Sequence, residues 1–144
     1  MVGEDGVYYY FDYETQEAFL TGQAISNSWT LLAFIEGYDV LEEEKYLQTA
    51  KNIADYSLKE LYDWKSGGFF ERHSQDTKFY APNERIDLSK PLEENAVFAH
   101  SMLKLYLLTD NLEYLEAGIK TLGYLSDKFG GLDEVYYFLE SIKV

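Results

Sequence analysis

The side chains of this sequence best equipped for proton chemistry near neutral pH are two histidines, His73 and His100, and carboxylates gathered around the stretch Gly67 to Pro91. That stretch holds Glu71, Arg72, His73, Asp76, Tyr80 and Arg85, and Glu93 and Glu94 follow it directly. A histidine that titrates near neutrality can take a proton from carbon beside a carbonyl and return it, the step of an epimerisation. Two carboxylates held roughly 5 to 10 Å apart can instead cleave a glycosidic bond. Flat rings with a polar edge suit stacking on a sugar, and Tyr8, Tyr10, Trp64, Phe70 and Tyr80 fall outside the helical spacing that marks packing residues. The candidate set is therefore Glu71, His73 and Glu94 for catalysis, with Tyr8, Trp64, Tyr80 and Arg85 as ligand contacts.

Each of these residues also has a plain architectural reading. His73 sits in a loop, where histidines without a role are common, and His100 falls on an apolar helix, where a hydrogen-bonded core histidine is the usual case. With 26 acidic residues in the chain, carboxylate pairs arise by chance, and no spacing marks one of them as buried. Glu93 and Glu94 are explained equally well by the helix that starts there, because negative charge is favoured at a helix N-terminus. Asn27 and Asn95 recur at equivalent positions of a repeat, which points to caps or helix-loop ties.

Composition excludes several classes. The 144 residues carry 26 Asp and Glu against 12 Lys and Arg, a formal net charge of −14, and the basic residues are scattered singly. Nucleic acid and acidic membranes are poor partners for such a surface. The longest apolar run, Trp29 to Ile35, is far shorter than the roughly 20 residues that span a bilayer. No basic and apolar leader opens the chain, so a cytoplasmic home is the default expectation. Without cysteine there is no disulfide, thiol nucleophile or thiolate zinc site,. Two distant histidines and no EF-hand or His-Glu-x-x-His pattern leave no metal site to expect. Ser66-Gly67-Gly68 is a turn signal rather than a phosphate loop, and no cofactor is called for.

The elements that must position these residues repeat. Adding 68 carries Asn27, Tyr38, Tyr46, Leu47 and Tyr56 onto Asn95, Tyr106, Tyr114, Leu115 and Tyr124 without a gap. The unit is a helical hairpin closed by a Gly-Gly step, at Gly67-Gly68-Phe69 and Gly130-Gly131-Leu132, and Gly6-Val7-Tyr8 reads as the end of a further unit. Hairpin one is predicted over about 25–61 and hairpin two over about 92–125, with a terminal helix over about 133–142. In each hairpin an inner helix, apolar nearly all round, precedes an outer helix with one buried stripe. In the first the outer stripe is Tyr46, Leu47, Ala50, Ile53, Ala54, Leu58 and Leu61, and Asp110 or Asn111 can cap the outer helix of the second. The first twenty residues fit a short strand and turn. One domain is expected, all-α with short β-like loops, and a chain that opens on the tail of a hairpin reads as part of a larger array.

The string Asn27, Tyr38, Glu44-Lys45-Tyr46-Leu47-Gln48-Thr49-Ala50, Asp63 and Gly67-Gly68-Phe69-Phe70 resembles the six-hairpin α/α toroids, the superfamily of six-hairpin glycosidases and N-acylglucosamine 2-epimerase-like proteins. Lys90-Pro91, Glu94-Asn95-Ala96, Leu103-Lys104-Leu105-Tyr106 and Leu108-Thr109-Asp110 look most like the C-terminal region of the large thioredoxin-domain-containing proteins of that fold. The resemblance implies a partial α/α toroid and a carbohydrate-active ancestry, in which histidines serve sugar 2-epimerases as acid and base. The sequence departs from those relatives after Glu94-Asn95-Ala96, where they continue into Pro-Ser-Gly-Asn and this chain runs into Val97-Phe98-Ala99-His100.

Three readings follow. The first is a carbohydrate-active domain, an epimerase or glycosidase relative, with a sugar ligand. The second is a non-catalytic interaction or scaffold module, in which a partner subunit or a second copy completes the toroid. The third is a truncated remnant of a larger thioredoxin-domain protein. The sequence leaves open whether the chain is an enzyme.

Overall fold

The computed structural model describes residues 2–3, 6–72 and 89–130. His73, Asp76, Tyr80, Arg85 and the terminal helix expected over 133–142 lie outside the described residues. The chain opens with two small antiparallel pairs, β1 (Val2–Gly3) with β2 (Gly6–Val7) and β3 (Tyr10–Asp12) with β4 (Glu17–Phe19). Tyr10 stands opposite Phe19 and Asp12 opposite Glu17. Asp12 makes the turn between β3 and β4, its Oδ1 accepting from the backbone N–H of Glu14 at 2.8 Å and of Thr15 at 3.3 Å. This is the short local bond that favours aspartate in turns.

Two helical hairpins follow, α1 (Ala24–Leu41) with α2 (Glu44–Glu60) and α3 (Leu92–Thr109) with α4 (Leu112–Phe129). The inner helices end alike. Glu42 closes α1 at φ 53° and Asp110 closes α3 at φ 55°, and each donates its N–H over 2.8 Å to the tyrosine four residues earlier, Tyr38 or Tyr106. A left-handed C-cap reverses the chain within two residues, which places each outer helix antiparallel to its inner one. Asn111 caps α4, accepting from the Glu113 N–H at 3.0 Å.

The inner helices α1 and α3 pack side by side, with α2 behind the first and α4 behind the second. The stripe read for α2 is buried except for half-buried Tyr46, and it meets Leu31 and Ile35 of α1, Phe98, Met102 and Leu105 of α3, and Tyr114 and Ala117 of α4 in one core. Phe69 completes it, stacked on Phe98 with ring centroids 4.0 Å apart. The tyrosines at helical spacing serve packing. Tyr38 and Tyr106 lie against the core, and Tyr114 is fully buried with its hydroxyl donating to Asp55 Oδ1 at 2.6 Å. No helix among the described residues is long and apolar enough to cross a membrane.

The Gly-Gly step is a tight turn after α2. Gly67 has φ +75°, and a Cβ there would come within 2.6 Å of the Lys120 carbonyl oxygen on α4. Backbone cannot yield as a flexible side chain does, so Gly67→Ala is expected to destabilise the fold by about 2 kcal/mol through strain and overpacking together. A urea titration that finds the variant as stable as the unmodified chain would contradict the close approach of this turn to α4.

Candidate functional site

Two buried asparagines tie loop backbone to the starts of the inner helices. Asn95, fully buried, accepts from the Phe69 N–H at 2.6 Å and donates to the Phe69 carbonyl at 2.9 Å and the Pro91 carbonyl at 2.8 Å. Asn27, also fully buried, accepts from the Val7 N–H at 3.1 Å and donates to the carbonyls of Thr21 at 2.7 Å and Gln23 at 2.8 Å. In both units the amide near the start of the inner helix holds the residue that follows a positive-φ glycine, Gly6 before Val7 and Gly68 before Phe69. These are helix-loop ties, and they pair backbone groups of Val7 and Phe69 that would otherwise be buried without a partner,.

The tie at Phe69 delivers the next residues to the start of the inner helices. Glu71 accepts from the Ala24 N–H at 2.9 Å through its carbonyl, and Arg72 bridges to Gln23. The Glu71 N–H donates to the Ser89 carbonyl at 2.8 Å, while Ser89 Oγ donates to Glu71 Oε2 at 2.6 Å. The long stretch is therefore closed at its neck, with Glu71 and Ser89 facing each other across it.

A concavity of about 330 Å³ opens at this place, lined by Gln23, Ile25, Glu71, Arg72, Pro91 and Glu94. Gln23 and Pro91 are the N-cap residues of α1 and α3, and neither contributes a side-chain cap. The positive ends of both inner helices thus lie at its wall, beside two carboxylates. Gln23 Nε2 is buried and has no acceptor among the described residues. A buried donor without an acceptor is costly in a folded protein, and a ligand oxygen would satisfy it.

A buried ion pair anchors the chain just before α3. Lys90, whose side chain is 7% exposed, donates to Asp63 Oδ2 at 2.7 Å, Ser66 Oγ at 2.8 Å and the Gly67 carbonyl at 2.7 Å. Its ammonium also lies 4.9 Å from the Phe70 ring centroid and 4.7 Å from that of Tyr124. Burial alone pushes the Asp63 carboxyl up, but the hydrogen bonds from Lys90, Ser66 and the backbone N–H groups of Lys65 and Ser66 outweigh it and hold the group well below the usual carboxylate range,. Lys90 stands between Ser89 and Pro91, so this pair determines where the chain enters α3.

Of the residues singled out in the sequence, Glu71 and Glu94 come together here. Tyr8 packs against Gly3 in the N-terminal strands. Trp64 lines a second, smaller concavity of about 150 Å³ with Asp55, Leu58, Lys59 and Glu113, edge-on to Tyr62 at 4.7 Å. His73, Tyr80 and Arg85 lie outside the described residues. His100 is half-buried on α3. Sequence reasoning passed over Gln23 and Lys90. The signal for Gln23 was its place four residues before Asn27, as Pro91 stands four before Asn95. Among the described residues no cluster of His, Asp or Glu is arranged to hold a metal ion.

No protein-family model matches the chain, and no curated protein sequence does. Solved structures do match. The glycoside hydrolase family 76 α-mannanase of Bacteroides thetaiotaomicron is 19% identical with a TM-score of 0.64 over 83% of this chain and 31% of that one. Cellobiose 2-epimerase of Bacillus thermoamylovorans is 22% identical with a TM-score of 0.64, over 88% of this chain and 31% of that one. The unsaturated glucuronyl hydrolase of Bacillus sp. GL1 is 21% identical with a TM-score of 0.61, over 88% of this chain and 36% of that one. The fold is that of the α/α toroids, and the chain spans about a third of the length of each of these proteins.

Proposed function

We propose that this chain is a carbohydrate-active α/α-toroid module that binds a sugar in the concavity at the start of α1 and α3, with Glu71 and Glu94 as its carboxylates. The observation that carries this reading is that two acidic residues far apart in sequence line one concavity at the ends of both inner helices. A sugar offers hydroxyls that carboxylates accept and oxygens that the buried Gln23 N–H can reach, and its C–H faces suit Ile25 and Pro91. The volume is at the small end of ligand pockets, roughly 300 to 1,000 Å³, which fits a ligand of monosaccharide size better than a long chain. His73 follows Arg72 in the sequence and is the proton carrier of an epimerase reading, while Glu71 and Glu94 serve a hydrolase reading. Arg85 and Tyr80 remain candidate ligand contacts from the same stretch. The likeness to the thioredoxin-domain group is part of this proposal and is supported by the sequence alone.

The test is binding. Calorimetric titration with neutral mono- and disaccharides should find a ligand whose affinity falls about tenfold in Glu71→Gln and in Glu94→Gln, the loss expected for one hydrogen bond to a charged group. Trp64→Ala should leave it unchanged. A ligand indifferent to both glutamates would remove the site from consideration. The interaction-module reading is favoured by a different observation, the exposed apolar row along α1.

A further inference from the structure

We infer that the outer helices carry a second sugar site, where the ring of Trp64 receives a hexopyranose. The hollow of about 150 Å³ beside Trp64 is lined by Asp55, Leu58, Lys59 and Glu113, and it shares no lining residue with the concavity at the start of α1 and α3. Asp55, Leu58 and Lys59 come from α2, and Glu113 comes from the first turn of α4. The site therefore stands whether or not the first concavity binds a sugar.

The platform is set before any ligand arrives. Trp64 is 43% exposed, and its ring meets that of buried Tyr62 edge-on. Tyr62 in turn donates its hydroxyl to the Ala117 carbonyl of α4 at 3.3 Å. The turn that carries Trp64 is closed by the Asp63 N–H on the Gly68 carbonyl at 2.9 Å and by the Gly67 N–H on the Asp63 carbonyl at 2.8 Å. Asp55 is fixed in the same way: its Oδ1 accepts from the hydroxyl of fully buried Tyr114, which leaves Oδ2 for a ligand. Groups held in place before binding lose little freedom in it.

The mixture of groups selects the ligand. Carboxylates only accept hydrogen bonds and an ammonium only donates them, so Asp55 and Glu113 call for O–H donors and Lys59 for acceptor oxygens. An exposed indole beside the aliphatic Leu58 calls for C–H. A cation would suit the indole and the carboxylates but meets the charge of Lys59, and an anion meets both carboxylates. A neutral hexopyranose answers all three demands: its hydroxyls donate and accept, and where they are equatorial the axial C–H bonds make a flat apolar face. The volume is about half the lower bound of roughly 300 Å³ for enclosed ligand pockets, so the hollow takes one ring and leaves the rest of an oligosaccharide in solvent,. Such a site docks a glycan without acting on it.

Fluorescence tests the inference on the full chain. The chain has two tryptophans, so Trp29→Phe leaves Trp64 as its only indole, and helix content by circular dichroism should be unchanged because Trp29 is partly exposed. Cellobiose, whose hydroxyls are all equatorial, should shift the Trp64 emission and saturate in the millimolar range, the affinity of a few weak contacts. That affinity should fall about tenfold in Asp55→Asn, which keeps an oxygen for Tyr114, and in Glu113→Gln. Glu71→Gln combined with Glu94→Gln should leave the Trp64 signal intact, so failure of the first concavity and failure of this site are seen separately. Arginine is the cation probe. A response to arginine with none to cellobiose would make the hollow a cation site and overturn the inference. Silence toward both, or a cellobiose response that neither carboxylate variant weakens, would overturn it too.

Discussion

Asn95→Ala is expected to cost the fold about 4 kcal/mol, a large share of the roughly 5 to 15 kcal/mol that holds a domain of this size together. The side chain makes three hydrogen bonds, and its removal leaves both the N–H and the carbonyl of Phe69 buried without a partner. Each such group costs about 1 to 3 kcal/mol. No water replaces the amide easily, because Phe69 and Phe98 are both fully buried on this side of the core. Asn95→Asp separates the terms: a carboxylate still accepts from the Phe69 N–H but faces two carbonyls to which it cannot donate. Urea unfolding at neutral pH should rank the chain above Asn95→Asp and Asn95→Ala, both by several kcal/mol. The loss should also release Glu71, two residues beyond Phe69, so binding at the proposed sugar site should fall under conditions where the variant is still folded. A variant with unchanged midpoint and slope would show that the tie contributes no stability.

Lys90→Met is expected to cost about 3 kcal/mol, the low end for removing one partner of a buried ion pair, because Asp63 keeps some exposure,. Methionine preserves the stem against Phe70 and Tyr124, so the loss reports the charge and its three hydrogen bonds. The pH dependence follows from Asp63. Its folded-state pKa lies below the unfolded value of about 4, so the pair's contribution is complete above that value and lost as pH falls toward the folded one. The stability difference between the chain and Lys90→Met should therefore be full at pH 7 and shrink steadily below about pH 4. Denaturant titrations at pH 7 and pH 3 measure it, and a difference that grows on acidification would contradict the assignment.

The repeat made much of this fold legible. Tyr38 and Tyr106, one offset apart, turned out to receive the C-cap N–H of Glu42 and Asp110, and the asparagines that recur with them are the two loop ties. Local signals were legible too: the α2 stripe recurs at three and four residues, and of the two caps offered, Asp110 or Asn111, it is Asn111 that accepts from the Glu113 N–H. Lys90 and Asp63 both stood in the strings that carry the resemblance, but their pairing was invisible for the opposite reason. A single lysine before a proline reads as surface charge, and its partner Asp63 is brought to it by the turn at Gly67 and the docking of α4. The contact is tertiary and leaves no periodic trace. The apolar surround of α1 was readable, but periodicity could not say that the row of Trp29, Ala33 and Val40 would be left exposed. Glu71 and Glu94 were nominated for their chemistry, while Gln23, at the head of α1, was not, because glutamine carries no titration to draw notice.

The neck at Glu71 and Ser89 also bears on how this scaffold can change. Because the chain leaves the helices and returns to them at one hydrogen-bonded pair, Glu71 and Ser89 stay together whatever joins them. Doubling the length of such an insertion costs only about 0.6 kcal/mol in closure entropy. The scaffold therefore offers a graft point: new sequence between Arg72 and Ser89 can be tried beside the concavity while the asparagine ties and the Lys90 pair are left untouched, so that specificity and foldability can vary independently.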